Sequence, residues 1–117
     1  RKNLGRWGEQ CAREFLESQG MTYIENNVTS PYGEIDLVMK DGEVTVFVEV
    51  KTRANDRNGY PEEAITERKL DHMDACANCY VDEHPQIGEN WRVDVVTVIG
   101  RPDDSGEIRV DWWRNDF

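Results

Sequence analysis

The alternation of apolar and polar residues along the chain predicts two helices and five strands. Residues 5–19 repeat apolar side chains at helical spacing, and Gly20 follows as a suitable helix stop. A second helix is expected over residues 61–82, with Pro61 at its first position, where its missing N–H costs nothing. The stretches with strand character are residues 21–28, 34–40, 43–51, 91–99 and 107–113. This order predicts a single α/β domain over residues 1–117, in which two helices flank a central mixed sheet.

The second and third predicted strands are expected to pair as a hairpin, because Asp41-Gly42 between them is a two-residue turn signal. In the register that this turn sets, Glu34 would lie opposite Glu49. Alternate residues of a strand share a face. One face of the hairpin should therefore be apolar and consist of Ile35, Leu37, Met39, Val44, Val46, Val48 and Val50. The other face should gather four charged side chains, those of Glu34, Asp36, Glu49 and Lys51.

This charged patch has two explanations. Carboxylates that lie opposite each other on a sheet destabilise it, and Lys51 would offset only part of the repulsion. A divalent cation would offset the rest, since Mg²⁺ and Mn²⁺ prefer oxygen ligands. Alternatively, the patch is a solvated strand face whose acidic side chains point into water. The hairpin alone leaves both explanations open.

The charge distribution argues against strong binding to nucleic acids. The chain carries 14 Lys and Arg residues against 24 Asp and Glu residues, a net charge of −10. Residues 1–60 contribute −2 and residues 61–117 contribute −8, so the second half carries most of the negative field. Such a field repels a polyanion such as DNA. It leaves open a basic protein partner that docks on residues 61–117.

The apolar content and the cysteines indicate the cellular location that is expected for the protein. No apolar stretch approaches the roughly 20 residues that a membrane-spanning helix requires, so no membrane partner is expected. The three cysteines are an odd number, and the basic first residues lack the apolar core of a secretory signal. These features favour reduced thiols in a cytoplasmic protein. Because His72, Cys76 and Cys79 share one face of the second helix, Zn²⁺ is an alternative to buried thiols there.

Several longer segments keep the order and spacing of a known family. They are GRWGEQCAREFLESQG, GEIDLVMKDGEVTVFVEVKTR, PEEAITERKL, WRVDVV and DWWRNDF. Together they resemble the YraN-like family. Asp36 followed by Glu49-Val50-Lys51 resembles the D…(D/E)xK signature of restriction-endonuclease-like nucleases, with which Holliday-junction resolvases are grouped. The resemblance implies a restriction-endonuclease-like αβββαβ core. It also implies a divalent-metal-dependent nuclease that hydrolyses DNA phosphodiester bonds, with branched DNA as a candidate substrate.

The resemblance further implies roles for individual residues. Asp36, Glu49 and Glu9 would bind Mg²⁺ or Mn²⁺. Lys51 would position or activate the attacking water and stabilise charge on the phosphate. Glu34 would be a neighbouring acid that supports these ligands or joins them as a further carboxylate.

Further candidates surround this predicted site. Lys69 matches a recurring lysine of the family, and Arg53 and Tyr60 follow the hairpin in the chain. All three could contact a nucleic-acid backbone or base, and all three are also explained as ordinary surface residues. Residues 29–32 lack the basic residue that many relatives carry there, which implies fewer phosphate contacts.

Two alternatives accompany the nuclease hypothesis. One is a non-catalytic module that keeps the fold and binds nucleic acid or a protein partner. The other concerns assembly, since an exposed Trp112-Trp113 pair would mark a homodimer contact.

Overall fold

The computed structural model describes residues 2–55, 57, 66–103 and 106–114, with side chains from Leu4 onward. Within these residues the chain forms two α-helices and five strands, in the predicted order. Their bounds are α1 Lys2–Ser18, β1 Thr22–Ser30, β2 Gly33–Asp41, β3 Val44–Arg53, α2 Glu67–Glu83, β4 Trp91–Ile99 and β5 Arg109–Trp113. No helix in these ranges is long and apolar enough to cross a membrane.

The strands of the described chain form one mixed sheet in the order β1-β2-β3-β4-β5. β3 and β4 run parallel, with α2 as their crossover, and the other neighbouring strands are antiparallel. α1 buries Ala12 and Leu16 on one face of the sheet, whereas α2 buries Cys76 and Tyr80 on the other. The predicted α/β architecture, a mixed sheet between two helices, is confirmed and is compatible with a restriction-endonuclease-like core.

Both helices begin at a different residue from the predicted one. α1 begins earlier than expected, at Lys2. α2 begins at Glu67 rather than at Pro61, because Thr66 has an extended backbone with φ −118° and ψ 163°. The Thr66 side chain caps the helix by accepting a hydrogen bond from the N–H of Lys69 at 3.2 Å. Pro61 itself lies outside the described residues.

The hairpin closes one residue later than predicted. Asp41 pairs with Val44, so the turn residues are Gly42 and Glu43 rather than Asp41 and Gly42. Gly42 takes a φ of 62°, which a glycine adopts without steric cost. The resulting register differs from the predicted one by two residues, so the side chains within the described β2–β3 ladder keep their predicted faces.

The observed register of β2 and β3 places a different pair of carboxylates opposite each other from the predicted pair. The last described pair of β2 and β3 is Leu37 with Val48, so continuing the register places Asp36, not Glu34, level with Glu49. The predicted apolar face is confirmed for the remaining residues, which pack under α1: Leu37, Met39, Val44, Val46, Val48 and Val50. Ile35 was assigned to this face wrongly, because it is buried in the cluster under α2. The alternation of faces therefore breaks next to Asp36.

A buried ionic network ties β4 to its neighbours. Asp94 is fully buried. It accepts hydrogen bonds from Arg92 Nε at 3.1 and 3.2 Å and from Trp112 Nε1 at 2.9 Å. Arg92 also reaches Asp41 at 3.0 Å. Asp94 had no predicted role, and the structure makes it the anion that joins β4 to β5.

α1 lies close to β3 because Gly8 carries no side chain. A Cβ at Gly8 would overlap the side chain of Thr52, whereas nothing lies within 4 Å of a Cβ at Gly5 in the same helix. Thr52 directly follows Lys51 on β3, so this close approach brings α1 to the charged end of the hairpin.

Two substitutions in α1 should show this contact. Gly8→Ala should destabilise the protein by about 1–3 kcal/mol, because the added methyl group overpacks against Thr52. Gly5→Ala should stabilise it by up to about 1 kcal/mol, since Ala is the better helix former and space is free there. Urea denaturation of both variants measures the difference. Equal stabilities would contradict the packing of α1 on β3.

Candidate active site

Asp36 lies where β2 and β3 stop pairing. Its Oδ2 accepts a hydrogen bond from the backbone N–H of Val50 at 2.8 Å. The Asp36 side chain thus accepts the hydrogen bond of a β3 N–H that lies just past the last described β2–β3 pair. This bond holds the Asp36 carboxylate against β3, beside Glu49.

The environment of Asp36 disfavours its charged form. Burial raises the pKa of Asp36 most, and the negative charges of Glu49, Glu9 and Glu34 raise it further, to about 7. The hydrogen bond from Val50 lowers the pKa and compensates only in part. The carboxylates therefore lie close enough to act on one another, as the predicted charged face requires.

Glu9 joins this group from α1. Asn27 of β1 donates from Nδ2 to both Glu9 carboxylate oxygens, at 3.3 and 3.4 Å. Burial raises the pKa of Glu9 most; the Asn27 hydrogen bond lowers it, and the charges of Glu34 and Glu49 raise it. Three elements, α1, β2 and β3, therefore contribute Glu9, Asp36 and Glu49 to one negative field.

Two lysines accompany the acids. Lys69 Nζ of α2 lies 3.4 Å from Glu49 Oε2. Burial lowers the pKa of Lys51 most, the Lys69 hydrogen bond and charge lower it further, and the Glu49 charge raises it. The hydrogen bond with Lys51 and the charge of Glu49 outweigh burial and raise the pKa of Lys69. Of the two lysines, Lys51 therefore holds its proton less firmly and Lys69 more firmly than an ordinary lysine.

A cavity of about 240 Å³ opens beside these groups on the α2 side of the sheet. Asp36, Glu49 and Lys69 line it, together with Glu34 and His72. Glu34 is exposed, in keeping with a supporting rather than a central position. The cavity gives a small anionic group access to both carboxylates and to the Lys69 ammonium.

The three residues expected to contact nucleic acid have different positions. Lys69 lies within the acidic group, where it contacts Glu49. Arg53 is exposed at the end of β3, and its carbonyl accepts a hydrogen bond from the N–H of Gly100 at 2.9 Å. Tyr60 lies outside the described residues.

Carboxylate oxygens that repel one another suit a hard divalent cation such as Mg²⁺ or Mn²⁺. Within the described ranges, no three His, Cys, Asp or Glu side chains are already grouped as a metal site. The zinc alternative at His72, Cys76 and Cys79 therefore gains no support. The acids around Asp36 fit a cation in chemistry, and their side chains would have to draw together to bind it.

The raised pKa of Asp36 predicts a pH-dependent stability. Because the folded-state pKa of about 7 lies above the ordinary value of 3.8, Asp36 contributes stability at low pH that is lost as the pH rises towards 7. Asp36→Asn should remove this loss and raise the free energy of unfolding by about 1–3 kcal/mol at about pH 8, with little change near pH 4. Urea denaturation at both pH values, with the exposed Asp103→Asn as control, measures this. Parallel pH profiles for wild type and Asp36→Asn would contradict the burial of a charge here.

Some residues of the site were not found from the sequence. Asn27 donates hydrogen bonds to the Glu9 carboxylate. In the structure, Asn27 is distinguished by a positive φ of 52°, which is uncommon for a residue other than glycine. His72 was considered only as a zinc ligand, but it lines the cavity with Asp36 and Glu49. Local spacing predicts neither the Asn27–Glu9 hydrogen bond nor the place of His72 beside Asp36 and Glu49, because each brings together elements that are distant in sequence.

Comparison with known proteins places this chain in a family. The family model described as "Uncharacterised protein family UPF0102" matches residues 8–98. A UPF0102 protein of Beutenbergia cavernae is 43% identical over 96 residues, covering 82% of this chain and 81% of that protein. Another, of Pelotomaculum thermopropionicum, is 38% identical over 118 residues, covering 100% and 97%. A third, of Syntrophotalea carbinolica, is 37% identical over 119 residues, covering 97% of each. The resemblance drawn from the sequence is therefore confirmed at the level of the family: the chain belongs to UPF0102, the YraN family.

Proposed function

We propose that the protein is a divalent-metal-dependent nuclease that hydrolyses phosphodiester bonds of DNA, with branched DNA among the candidate substrates. The observation that carries the proposal is the group formed by Asp36, Glu49 and Glu9 with Lys51 and Lys69. It joins four elements at one end of the sheet, and burial together with the neighbouring acids raises the pKa of Asp36 to about 7. Perturbed titratable groups beside a cavity are typical of catalytic sites.

The carboxylates of Asp36, Glu49 and Glu9 would hold Mg²⁺ or Mn²⁺. When bound, such a cation polarises the phosphoryl group and makes nearby water more acidic. The chain itself orients these ligands. Val50 fixes Asp36 through its N–H, and Asn27 fixes Glu9 through its amide.

The two lysines would divide the remaining work. Lys51, with its lowered pKa, would accept a proton from the attacking water. Lys69, which stays charged beside Glu49, would stabilise negative charge that develops on the phosphate oxygens. The cavity lined by Asp36, Glu49 and Lys69 would admit the phosphate.

The acidic surface sets limits on how such a nuclease engages its substrate. With a net charge of −10, the protein as a whole repels nucleic acid, so binding should be weak and should depend steeply on salt. The three cysteines are free thiols, which supports the proposed cytoplasmic location. Trp113 is 38% exposed, and the homodimer contact at Trp112-Trp113 stays a prediction.

Metal binding tests the proposal first. Titration calorimetry with Mn²⁺ should show binding by the wild type that weakens by about 10-fold or more in Asp36→Ala and in Glu49→Ala. Asp103→Ala, an exposed acid outside the site, should bind Mn²⁺ like the wild type. Unchanged affinity in both site variants would remove the basis for a metal-dependent nuclease.

Cleavage assays provide the second test of the proposed nuclease function. Mn²⁺-dependent hydrolysis should be measured on linear, nicked, flapped and four-way DNA and on RNA, with EDTA as the negative control. Cleavage of at least one DNA substrate that EDTA abolishes would support the proposal. Stoichiometric Mn²⁺ binding without cleavage of any substrate would favour a non-catalytic binding module instead.

A further inference from the structure

A second cavity, of about 420 Å³, lies between α1 and β1. We refer to it as the α1–β1 groove. Four side chains of α1 and three of β1 form its walls, and Leu37 of β2 completes the lining: Arg6, Glu9, Gln10 and Arg13 from α1, and Tyr23, Asn26 and Asn27 from β1. Apart from Leu37 and the carboxylate of Glu9, these side chains are hydrogen-bonding or cationic groups, which suits a polar or anionic ligand better than an apolar one.

The charge of the groove differs from that of the whole protein. The chain carries a net charge of −10, yet two guanidinium groups, those of Arg6 and Arg13, line this one cavity. The guanidinium carbon of Arg13 lies 3.6 Å from the centre of the Tyr23 ring, and its Nε contacts Glu17 at 3.2 Å. Stacking on Tyr23 fixes the plane of the guanidinium group, and a planar fork of donors is the group that best matches a phosphate.

The groove is continuous with the proposed catalytic group. Glu9 lines it together with the basic residues. A chain of hydrogen bonds runs along the strand wall to Glu9. The Tyr23 hydroxyl donates to Asn26 Oδ1 at 2.7 Å, and Asn26 Nδ2 donates to Asn27 Oδ1 at 2.8 Å. Asn27 Nδ2 then donates to Glu9. A ligand in the groove would therefore touch residues that also orient a carboxylate of the site.

The backbone of β1 is irregular at this wall. The pairing of β1 with β2 shifts register between Tyr23 and Glu25, and Asn27 adopts a φ of 52°. A bulge re-aims the side chains that follow it, and a non-glycine residue in the left-handed region persists only where its surroundings hold it. Both irregularities lie at the groove, where they bring the two asparagine amides and the tyrosine to one side.

We propose that the α1–β1 groove binds the phosphodiester backbone of a single nucleic-acid strand that leads into the carboxylate site. This inference rests on the proposed nuclease function and adds the form of the substrate that the site accepts. Arg6 and Arg13 contact phosphates, while Gln10 and Asn26 donate to phosphate or sugar oxygens. Arg13 covers a face of the Tyr23 ring. Because contacts to phosphate and sugar carry no sequence information, recognition is independent of sequence.

The surrounding charge favours one strand over a duplex. A duplex presents two lines of phosphates to a broad surface, and the surface of this protein is strongly acidic overall. A single flexible strand can follow the arginine-lined groove without lying against the acidic surface around it. Flaps, gaps and the open arms of branched DNA offer such a strand.

Binding without cleavage tests the groove directly. Fluorescence anisotropy of a fluorescein-labelled single-stranded DNA, in EDTA at about 50 mM salt, gives the dissociation constant. The Arg6→Gln/Arg13→Gln double variant should bind about 10-fold more weakly or worse, and its salt dependence should become shallower. The Arg68→Gln/Arg114→Gln variant removes the same charge from exposed positions outside the groove and should lose about threefold or less.

A second groove variant keeps the Arg13–Tyr23 contact and so tests whether its loss alone explains weaker binding. Arg6→Gln/Asn26→Ala leaves that contact in place and should still weaken binding of the single strand. A blunt duplex of the same sequence should bind the wild type more weakly than the single strand does. Equal losses in the groove and control variants, a duplex that binds as tightly as the single strand, or no binding of the single strand would each overturn the inference.

The binding and cleavage experiments distinguish a failure of the groove proposal from a failure of the nuclease proposal. Groove-dependent strand binding by a protein that cleaves nothing would support the groove and reject the nuclease. Mn²⁺-dependent cleavage with an unchanged KM in Arg6→Gln/Arg13→Gln would keep the nuclease and reject the groove.

Discussion

In the Lys51→Ala protein, Mn²⁺-dependent cleavage should fall by about 10²–10³-fold while Mn²⁺ affinity stays unchanged. Lys51 follows Glu49 on the same face of β3, and burial together with the neighbouring Lys69 lowers its pKa. In the proposed reaction, Lys51 positions or activates the attacking water and stabilises charge on the phosphate. Since Mn²⁺ favours carboxylate oxygens and the proposed ligands are Asp36, Glu49 and Glu9, the substitution should spare metal binding.

Single-turnover cleavage and Mn²⁺ calorimetry on the same preparation separate these two effects. Lys40→Ala is the matched control, because Lys40 lies on the same hairpin but pairs with Thr45 at its far end. It should cleave like the wild type. If Lys51→Ala retained most of the activity, Lys51 would have no part in the reaction. Lys69, 3.4 Å from Glu49, would then be the next lysine to replace.

Replacing Asp94 by Ala should lower the free energy of unfolding by about 3–5 kcal/mol. Asp94 is fully buried and accepts hydrogen bonds from Arg92 and Trp112. Its removal leaves the Arg92 guanidinium, whose side chain is only 12% exposed, with Asp41 as its remaining carboxylate in the network. Removing one partner of a buried ion pair is among the larger single penalties in folded proteins, and the more exposed Asp41 compensates only in part.

Chemical denaturation of Asp94→Ala beside Asp111→Ala measures this penalty. Asp111 forms a similar pair with Arg109 two residues away on β5, but there the two side chains are 35% and 47% exposed. Asp111→Ala should therefore cost about 1 kcal/mol or less. Similar losses in the two variants would mean that burial of Asp94 adds nothing to its ionic contact.

The fold could be predicted closely because its elements have clear periodicity. Alternation marked the hairpin, and the apolar run at residues 91–99 matched β4, Trp91–Ile99, in full. The failures have local causes. Asp41-Gly42 is a good turn signal, but the turn formed one residue later, where Gly42 supplies the positive φ. Pro61 suggested a helix start, but the cap that Thr66 provides set the beginning of α2.

The candidate site could be predicted only in part. Alternation along the hairpin put Asp36, Glu49 and Lys51 on one face together with Glu34, and the family resemblance added Glu9. Local spacing did not indicate that Ile35 changes face, because the irregularity arises where β2 and β3 separate. The contacts of Asn27 with Glu9 and of Lys69 with Glu49 join residues far apart in the chain. Such contacts depend on how helices dock, which periodicity does not encode.

The parallel pairing of β3 with β4 has a consequence for synthesis on the ribosome. β1, β2 and β3 are antiparallel neighbours and can begin to pair while later segments are still being translated. β4 must wait for the crossover, and α2 carries Lys69 into place. A nascent chain at that stage contains Glu9, Asp36 and Glu49 but lacks the docked ammonium group that contacts Glu49 in the folded protein. We expect these acids to remain apart in the unfinished chain, so that the proposed nuclease site is completed late, once the crossover helix has docked.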